Sequence, residues 1–180
     1  MIRSLLALVL LIGVRLPAAA QTTVILVRHA EKAATPANDP PLTAEGEARA
    51  RALVGVVRDA GVQAIMTTQF LRTRETARPA AEALHITPEV VNAGGPDHAA
   101  EVARRIRTEH AGQVVLVVEH SNTIPAIIKA LGAPEPAPIC DGEYDGLYTV
   151  MISKSGSVVE MKSRYGAPSA VGAGCGAMKP

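Results

Sequence analysis

The sequence predicts an α/β domain with a mostly parallel central sheet, and three features predict it. Two continuous apolar runs, TTVILVR at 22–28 and VVLVVEH at 114–120, are typical of strands buried on both faces of a sheet. Segments with helical spacing alternate with the predicted strands. Two β-rich runs at 146–153 and 157–165, joined by KSG, predict a C-terminal antiparallel hairpin. Strands that alternate with helices define the α/β class.

In the first half of the chain, caps and stops delimit the elements. Thr43 is expected to cap a helix whose apolar face runs to Ala60, with Gly61 as its stop. VQAIMTT at 62–68 predicts a second buried strand, and 70–84 a helix that Pro79 should kink or break. TPEVVNA at 87–93 predicts a weak third strand.

In the second half, a helix is expected after GGPD, because Ala99, Val102, Ala103 and Ile106 share a helical face. A further helix is expected over 121–131, with Pro125 in its first turn and Gly132 at its end. A proline-rich connector then leads to the hairpin at 146–165.

The chain is expected to hold one domain between two segments that lie outside the fold. Residues 1–20 combine Arg3, an apolar run and an alanine-rich end, which is the layout of a secretory signal peptide. An uncleaved anchor is the alternative, but the apolar run is shorter than the ~20 residues that a span needs. We therefore predict a domain at 21–165, a flexible tail at 166–180, and a periplasmic or secreted protein with no membrane anchor after cleavage.

The composition excludes several classes of partner. The 18 basic and 17 acidic residues give a formal net charge of +1 without a basic run, so no nucleic-acid surface is expected. With no Trp, one Phe and three Tyr, the chain lacks the aromatic residues of a base-stacking or sugar-binding groove. The oligomeric state is left open.

The only cysteines, Cys140 and Cys175, can form a disulfide if the protein is exported. In the chain-entropy account such a bridge would stabilise the fold by roughly 3 to 4 kcal/mol. Two free thiols are the alternative.

Side chains suited to phosphate chemistry follow three of the predicted strands. His29 and His120 stand just after the two buried strands, beside Arg28 and near Arg72 in the first turn of the helix after the second strand. In open α/β sheets the functional crevice lies beyond the carboxyl ends of the strands. Two imidazoles and two guanidiniums at one crevice suit a tetrahedral dianion, with one neutral histidine as nucleophile on phosphorus. The helix expected to start at Ser121 would add main-chain N–H groups.

These residues lie in motifs that resemble those of the histidine phosphatase superfamily. VRHAEK resembles its Arg-His-Gly/Ala motif, TTQFLRTRETA its Ser-x-Leu-x-Arg segment, VVEHSNT its Gly-His-Ser segment, and PLTAEGEARARAL its Leu-Thr-x-x-Gly helix start. The resemblance implies His29 as the phosphorylated nucleophile, His120 as the second histidine of the pocket, and Arg28 and Arg72 as the residues that bind the phosphate. It also implies a three-layer sandwich around a mostly parallel sheet, and a phosphatase that needs no metal and no cofactor.

The chain departs from the family pattern at two points. Glu119 replaces the usual Gly before the second histidine, and strand alternation predicts that it faces away from His120 as a solvated edge residue. The family's usual proton donor has no clear match, and Asp97 is the nearest candidate, with an N-cap as its other interpretation. Without a strong acid, substrates whose leaving group needs no protonation are favoured.

Two other functions are weighed against a phosphatase acting on a phosphorylated small molecule or macromolecule. A phospholigand-binding protein would keep the pocket without turnover, but binding alone does not need a nucleophile. A metalloprotein could use His29, Glu31, Glu119 and His120, but no H-E-x-x-H pattern or cysteine cluster supports it. Arginines beside the site would also repel a cation.

Overall fold

The computed structural model describes residues 21–169, and four helices and six strands alternate through them. In chain order the elements are β1 Thr22–Arg28, α1 Ala44–Val57, β2 Val62–Thr67, α2 Leu71–Leu84, β3 Glu89–Val90, α3 His98–Thr108, β4 Val114–Glu119, α4 Ile124–Ala130, β5 Gly146–Ile152 and β6 Val158–Arg164. The predicted signal peptide and the tail beyond Ser169 lie outside the described residues.

The strands form one mixed sheet in the order β3-β2-β4-β1-β5-β6. The pairs β1–β4, β2–β4 and β2–β3 are parallel, whereas β5 runs antiparallel to both β1 and β6. The predicted α/β class, the mostly parallel sheet and the C-terminal hairpin are therefore confirmed. Since β2, β4 and β1 are neighbours, their carboxyl ends meet at one edge of the sheet.

Helices cover the sheet on both faces, so the fold has three layers. One core contains Val102 and Ile106 of α3 and Ile124 and Ile127 of α4, packed on alternate residues of the central strands. The other core contains Leu53 of α1 and apolar residues of α2 on the opposite face. Strands β1 and β4 are apolar throughout because both of their faces are covered.

The start of α1 is fixed by its cap and by a close main-chain approach. The Thr43 hydroxyl accepts a hydrogen bond from the Gly46 N–H at 3.2 Å, which confirms the predicted cap. A Cβ atom at position 46 would collide with the main-chain oxygen of Glu31. Glycine is therefore needed here to bring α1 against the loop that follows β1.

Three elements differ from the prediction. α2 continues through Pro79 without a break, because Ala77, Ala80 and Ala81 on both sides of the proline are buried against the sheet. β3 has two residues rather than seven. α4 begins at Ile124 rather than Ser121, because residues 121–123 form a turn.

The residues after β6 remain attached to the domain as far as they are described. Arg49 of α1 donates hydrogen bonds to the main-chain oxygens of Tyr165 and Ala167 and forms an ion pair with Glu31. The Ser169 hydroxyl accepts hydrogen bonds from the main-chain N–H groups of Tyr144 and Asp145. In residues 21–169, no helix has the length and apolar character needed to cross a membrane.

Candidate active site

A cavity of about 420 Å³ lies at the carboxyl ends of β1, β2 and β4. Its lining includes Arg28, His29, Arg72 and His120, the four residues that the sequence predicts to meet there. The two histidine rings lie edge to face with centroids 5.4 Å apart. The topology explains this convergence, because β4 lies between β1 and β2 and brings their carboxyl ends together.

His29 is held in one ring orientation at the end of β1. His29 is 4% exposed, and its main-chain N–H donates to the main-chain oxygen of Glu119 at 2.7 Å. Its Nδ1 lies 2.8 Å from the main-chain oxygen of Ala30. A carbonyl oxygen only accepts, so Nδ1 carries the proton and the neutral ring keeps a lone pair on Nε2. Burial, with smaller contributions from the nearby His120, Arg28 and Arg72, lowers the pKa of His29 to about 3. The ring is therefore neutral at physiological pH.

His120 is anchored to the β2 end by a chain of hydroxyl groups. Its Nε2 lies 3.2 Å from the Thr68 hydroxyl, which lies 2.9 Å from the Thr73 hydroxyl, and Thr73 donates to the Phe70 oxygen at 2.8 Å. Each hydroxyl has one proton, so this chain is satisfied when His120 Nε2 donates to Thr68. Burial lowers the pKa of His120 to about 4.

Arg28 is held from behind by the connector that follows α4. Its Nη1 donates to the main-chain oxygens of Cys140, Asp141 and Glu143 at 2.8 to 3.1 Å. Its guanidinium lies over the Tyr144 ring, 4.1 Å from the centroid. The guanidinium is therefore fixed before any substrate enters.

Arg72 reaches the cavity from the first turn of α2. Its guanidinium lies 4.3 Å from the Phe70 ring centroid, and its Nη1 lies 3.8 Å from Asp39 Oδ1. The Asp39 carboxylate also accepts from the Leu71 N–H at 2.9 Å, which fixes the start of α2.

The two arginines keep buried donors that nothing else in the described part of the chain uses. The Nε atoms of Arg28 and Arg72 are buried and have no acceptor within hydrogen-bonding distance among residues 21–169. Buried donors are rarely left unmatched, because their desolvation costs about 1–3 kcal/mol each. Both arginines line the cavity, so a phosphoryl group bound there would bring acceptors close to their guanidinium groups.

Several residues near the cavity carry no recognisable signal in the sequence. Phe70 and Tyr144 stack on the two arginines, while Lys32, Asp141 and Asn122 line the cavity. Asp141 is the only carboxylate among the described residues of the lining. Lys32, Asp141 and Tyr144 lie in loops, where no periodic pattern identifies a functional position.

Other predicted site residues lie elsewhere. Asp97 stands exposed at the N-cap position of α3, makes no side-chain cap hydrogen bond, and is not among the residues lining the cavity. Its role as a proton donor stays a prediction. Cys175 lies outside the described residues, so the pair with Cys140 also stays a prediction.

The prediction that Glu119 is solvated is wrong. Its side chain is 1% exposed and contacts His98 and Thr123. Strand alternation turns it towards the face covered by α3 and α4, and those helices exclude water there.

The metal alternative receives no geometric support from the residues it names. Within residues 21–169, the group of His, Cys, Asp and Glu side chains with ligand atoms all within 4.8 Å of one another is Glu89, Glu109 and His110. None of these lines the cavity described above.

Residues 24–93 match the family model of the histidine phosphatase superfamily, branch 1. This segment contains the first histidine, both arginines and the Leu-Thr-x-x-Gly helix start. No curated protein matches the chain.

Solved phosphatase structures share the fold. The protein histidine phosphatase SixA complexed with tungstate superposes with a TM-score of 0.61 at 18% identity, over 79% of this chain and 96% of that one. A mycobacterial glucosyl-3-phosphoglycerate phosphatase superposes with a TM-score of 0.62 at 15% identity, over 81% of this chain and 98% of that one. A phosphoserine phosphatase mutant from Entamoeba histolytica in complex with phosphoserine superposes with a TM-score of 0.60 at 13% identity, over 80% of this chain and 96% of that one. At these identities the likeness is one of fold.

Proposed function

We propose that the chain, whose residues 24–93 match the histidine phosphatase superfamily model, is a metal-independent phosphatase that acts through a phosphohistidine at His29. Its substrate is a phosphate monoester or a similar phosphoryl group on a small molecule or macromolecule. One observation carries the proposal: a neutral histidine with a free Nε2 lone pair shares a cavity with two arginines whose buried Nε donors find no acceptor among residues 21–169.

The first half-reaction follows from this arrangement. The phosphoryl oxygens accept hydrogen bonds from Arg28 and Arg72, which neutralise their charge. The Nε2 lone pair of His29 forms a bond to phosphorus as the bond to the leaving-group oxygen breaks. The bonding pair goes to that oxygen, and a proton donor or the solvent protonates it. The Nδ1–H keeps donating its hydrogen bond to the Ala30 main-chain oxygen, and this oxygen stabilises the positive charge that develops on the ring.

The second half-reaction returns the enzyme to its starting state. A water oxygen attacks phosphorus in line, the bond from phosphorus to His29 Nε2 breaks, and the pair returns to the ring as its lone pair. The water gives up one proton to the group that protonated the leaving group, or to the solvent, and inorganic phosphate leaves. Neither half-reaction requires a metal ion, since the arginines carry the charge that would otherwise need one.

A turnover assay tests the proposal. Purified protein and the variant His29→Ala are compared on p-nitrophenyl phosphate between pH 5 and 8, with and without EDTA. We expect turnover that EDTA does not affect and that falls at least about 10³-fold in the variant. The matched control is His85→Asn, an exposed position with φ of 55° that Asn tolerates, and it should keep full activity.

Two outcomes would oppose the proposal. Phosphate binding without turnover would identify a phospholigand-binding protein instead. Turnover that EDTA abolishes would return the metal alternative.

We further propose that the chain is exported to the periplasm or secreted, with cleavage before Gln21. The support is the signal-peptide layout of residues 1–20 and a first strand that begins at Thr22, directly after the proposed cleavage site. N-terminal sequencing of the protein recovered from the extracytoplasmic fraction should begin at Gln21. Recovery of an intact N-terminus in the cytosol would contradict export.

A further inference from the structure

A buried carboxylate lies directly behind the second histidine of the cavity. Glu119 is the last residue of β4, and its Oε1 lies 2.9 Å from His98 Nε2 at the start of α3. Its Oε2 accepts a hydrogen bond from the Thr123 hydroxyl at 2.8 Å. A carboxylate that is 1% exposed is costly to bury unless a cation compensates it. His98, itself 7% exposed, is the partner that can supply that charge.

The Glu119 carboxylate is connected to His120 through Thr123. While the Thr123 hydroxyl donates to Glu119, its oxygen accepts from the His120 main-chain N–H at 3.1 Å. The hydroxyl is thereby held between the carboxylate and the backbone of the cavity histidine. Three elements, β4, α3 and the turn before α4, are fixed to one another at this point.

Charged groups from every neighbouring element act on the His120 ring. Arg28 of β1, Arg72 of α2 and His98 of α3 disfavour a proton on it, whereas Glu119 on its own strand favours one. The neutral His29 ring lies beside it, and Lys32 and Asp141 line the same cavity from loops. The hydrogen bond to Glu119 raises the pKa of His98, so His98 is protonated wherever His120 begins to titrate.

We propose that Glu119 and His98 form a buried charge pair that positions His120 and determines how readily it accepts a proton. The inference rests on the proposed function, in which a phosphoryl dianion enters the cavity. A proton on His120 then adds a charged donor for a phosphoryl oxygen. Glu119 is a positioning residue in this account, because it acts through His120 and does not line the cavity.

The pair predicts pKa shifts of opposite sign for its two members. Glu119→Gln removes the negative charge but keeps a side chain of the same shape, and should lower the pKa of His120. His98→Gln removes the positive charge and keeps an amide nitrogen near the position of Nε2. This variant should raise the pKa of His120. Each shift should be about 1 pH unit, the usual effect of a close charge. If the pair had a purely structural role, the pKa of His120 would shift in the same direction in both variants.

The experiment is an NMR titration of 15N-labelled histidine rings from pH 3 to 8 in the intact protein and both variants. Glu101→Gln is the matched control, since it removes a carboxylate from α3 that is paired with Arg104 and Arg105, whereas the side-chain partners of Glu119 are His98 and Thr123. It should leave the His120 titration unchanged. Circular dichroism verifies that each variant is folded.

Shifts of opposite sign in the pKa of His120, together with an unchanged pKa in Glu101→Gln, support the charge pair. Shifts of the same sign in both variants, or none in either, overturn it. If Glu119→Gln does not fold, His98→Gln alone decides, and only a raised His120 pKa supports the pair. The titration requires no turnover, so its result is separate from the success or failure of the phosphatase assay.

Discussion

In the proposed mechanism, the protonation of His29 determines the pH range in which it can act as the nucleophile. Burial and the surrounding cations lower its pKa to about 3, well below the ordinary value of 6.5. Because the neutral ring attacks, its reactive form is complete by about pH 5 and declines only as the pH falls towards 3.

The pH profile of kcat/KM checks this. Plotted against the concentration of the substrate dianion, the profile on p-nitrophenyl phosphate should show no ascending limb near pH 6.5. Replacing Arg72 with Met should not restore such a limb, because burial is the largest cause of the lowered pKa. A limb with a midpoint at about 6.5 would show that His29 titrates like a solvated histidine.

In the proposed mechanism, a carboxyl group that protonates the leaving group would have to reach the cavity. Asp141 lines the cavity and its main-chain oxygen accepts from Arg28, whereas Asp97 stands at the start of α3 and is not among the residues lining the cavity. We expect Asp141→Asn to lower kcat/KM by about 10²-fold on an alkyl phosphate and far less on p-nitrophenyl phosphate, whose leaving group needs no acid. Asp97→Asn is the matched comparison.

Steady-state kinetics on both substrates separate the two aspartates. If kcat/KM for the alkyl phosphate falls selectively in Asp97→Asn and does not fall in Asp141→Asn, the proton donor would be assigned to Asp97. Equal losses on both substrates in Asp141→Asn would indicate a binding role instead.

The start of α1 shows how one helix end shapes the loop beside the nucleophile. A Cβ at Gly46 would collide with the Glu31 oxygen, two residues beyond His29, whereas a Cβ at Gly55 on the same helix meets nothing within 4 Å. We expect Gly46→Ala to lower the free energy of unfolding by about 1–3 kcal/mol. Gly55→Ala should raise it by about 0.5–1 kcal/mol, because Ala is the better helix former.

Urea denaturation of both variants measures these changes. Opposite signs of the two changes in unfolding free energy would distinguish Gly46, which lies against the Glu31 main chain, from Gly55, an ordinary helical glycine. A Gly46→Ala variant as stable as the unchanged protein would show that the loop after β1 moves aside easily.

Most elements could be predicted because their signals are local. The apolar runs of β1 and β4, the Thr43 cap and the hairpin each depend on a few adjacent residues. α2 was harder, because a proline normally ends a helix and only tertiary packing keeps this one intact. The position of β5 beside β1 depends on contacts between residues more than a hundred positions apart, which no local pattern records.

The site was predictable to the same extent. His29 and His120 follow buried strands, and the rule for strand ends predicts the edge of the sheet at which both line the cavity. Glu119 follows the same alternation, but the sequence does not show that α3 covers the face it points to. Asp141 and Tyr144 lie in an irregular connector, and only the folded chain brings them to Arg28.

The last described residues are linked to a residue that packs on Arg28 at the cavity. The Ser169 hydroxyl accepts from the N–H groups of Tyr144 and Asp145, and Tyr144 stacks on Arg28. We expect Ser169→Ala to cost about 1–3 kcal/mol of stability, since two donors lose their acceptor, and to raise KM for a phosphorylated substrate. Ser163→Ala on exposed β6 is the control.

Thermal unfolding and steady-state kinetics measure the two effects together. Loss of stability with an unchanged KM would mean that the connector holds Arg28 without help from the C-terminal residues. An unchanged stability would show that the Ser169 contacts contribute little.

The central claim is that His29 carries the phosphoryl group, and trapping the intermediate tests it most directly. The protein is mixed with p-nitrophenyl phosphate, quenched in alkali within milliseconds, and digested for mass spectrometry. The account predicts phosphate on the peptide containing His29, stable in alkali and released by acid, and none in His29→Ala. Phosphate on another residue, or unimpaired turnover by His29→Ala, would contradict it.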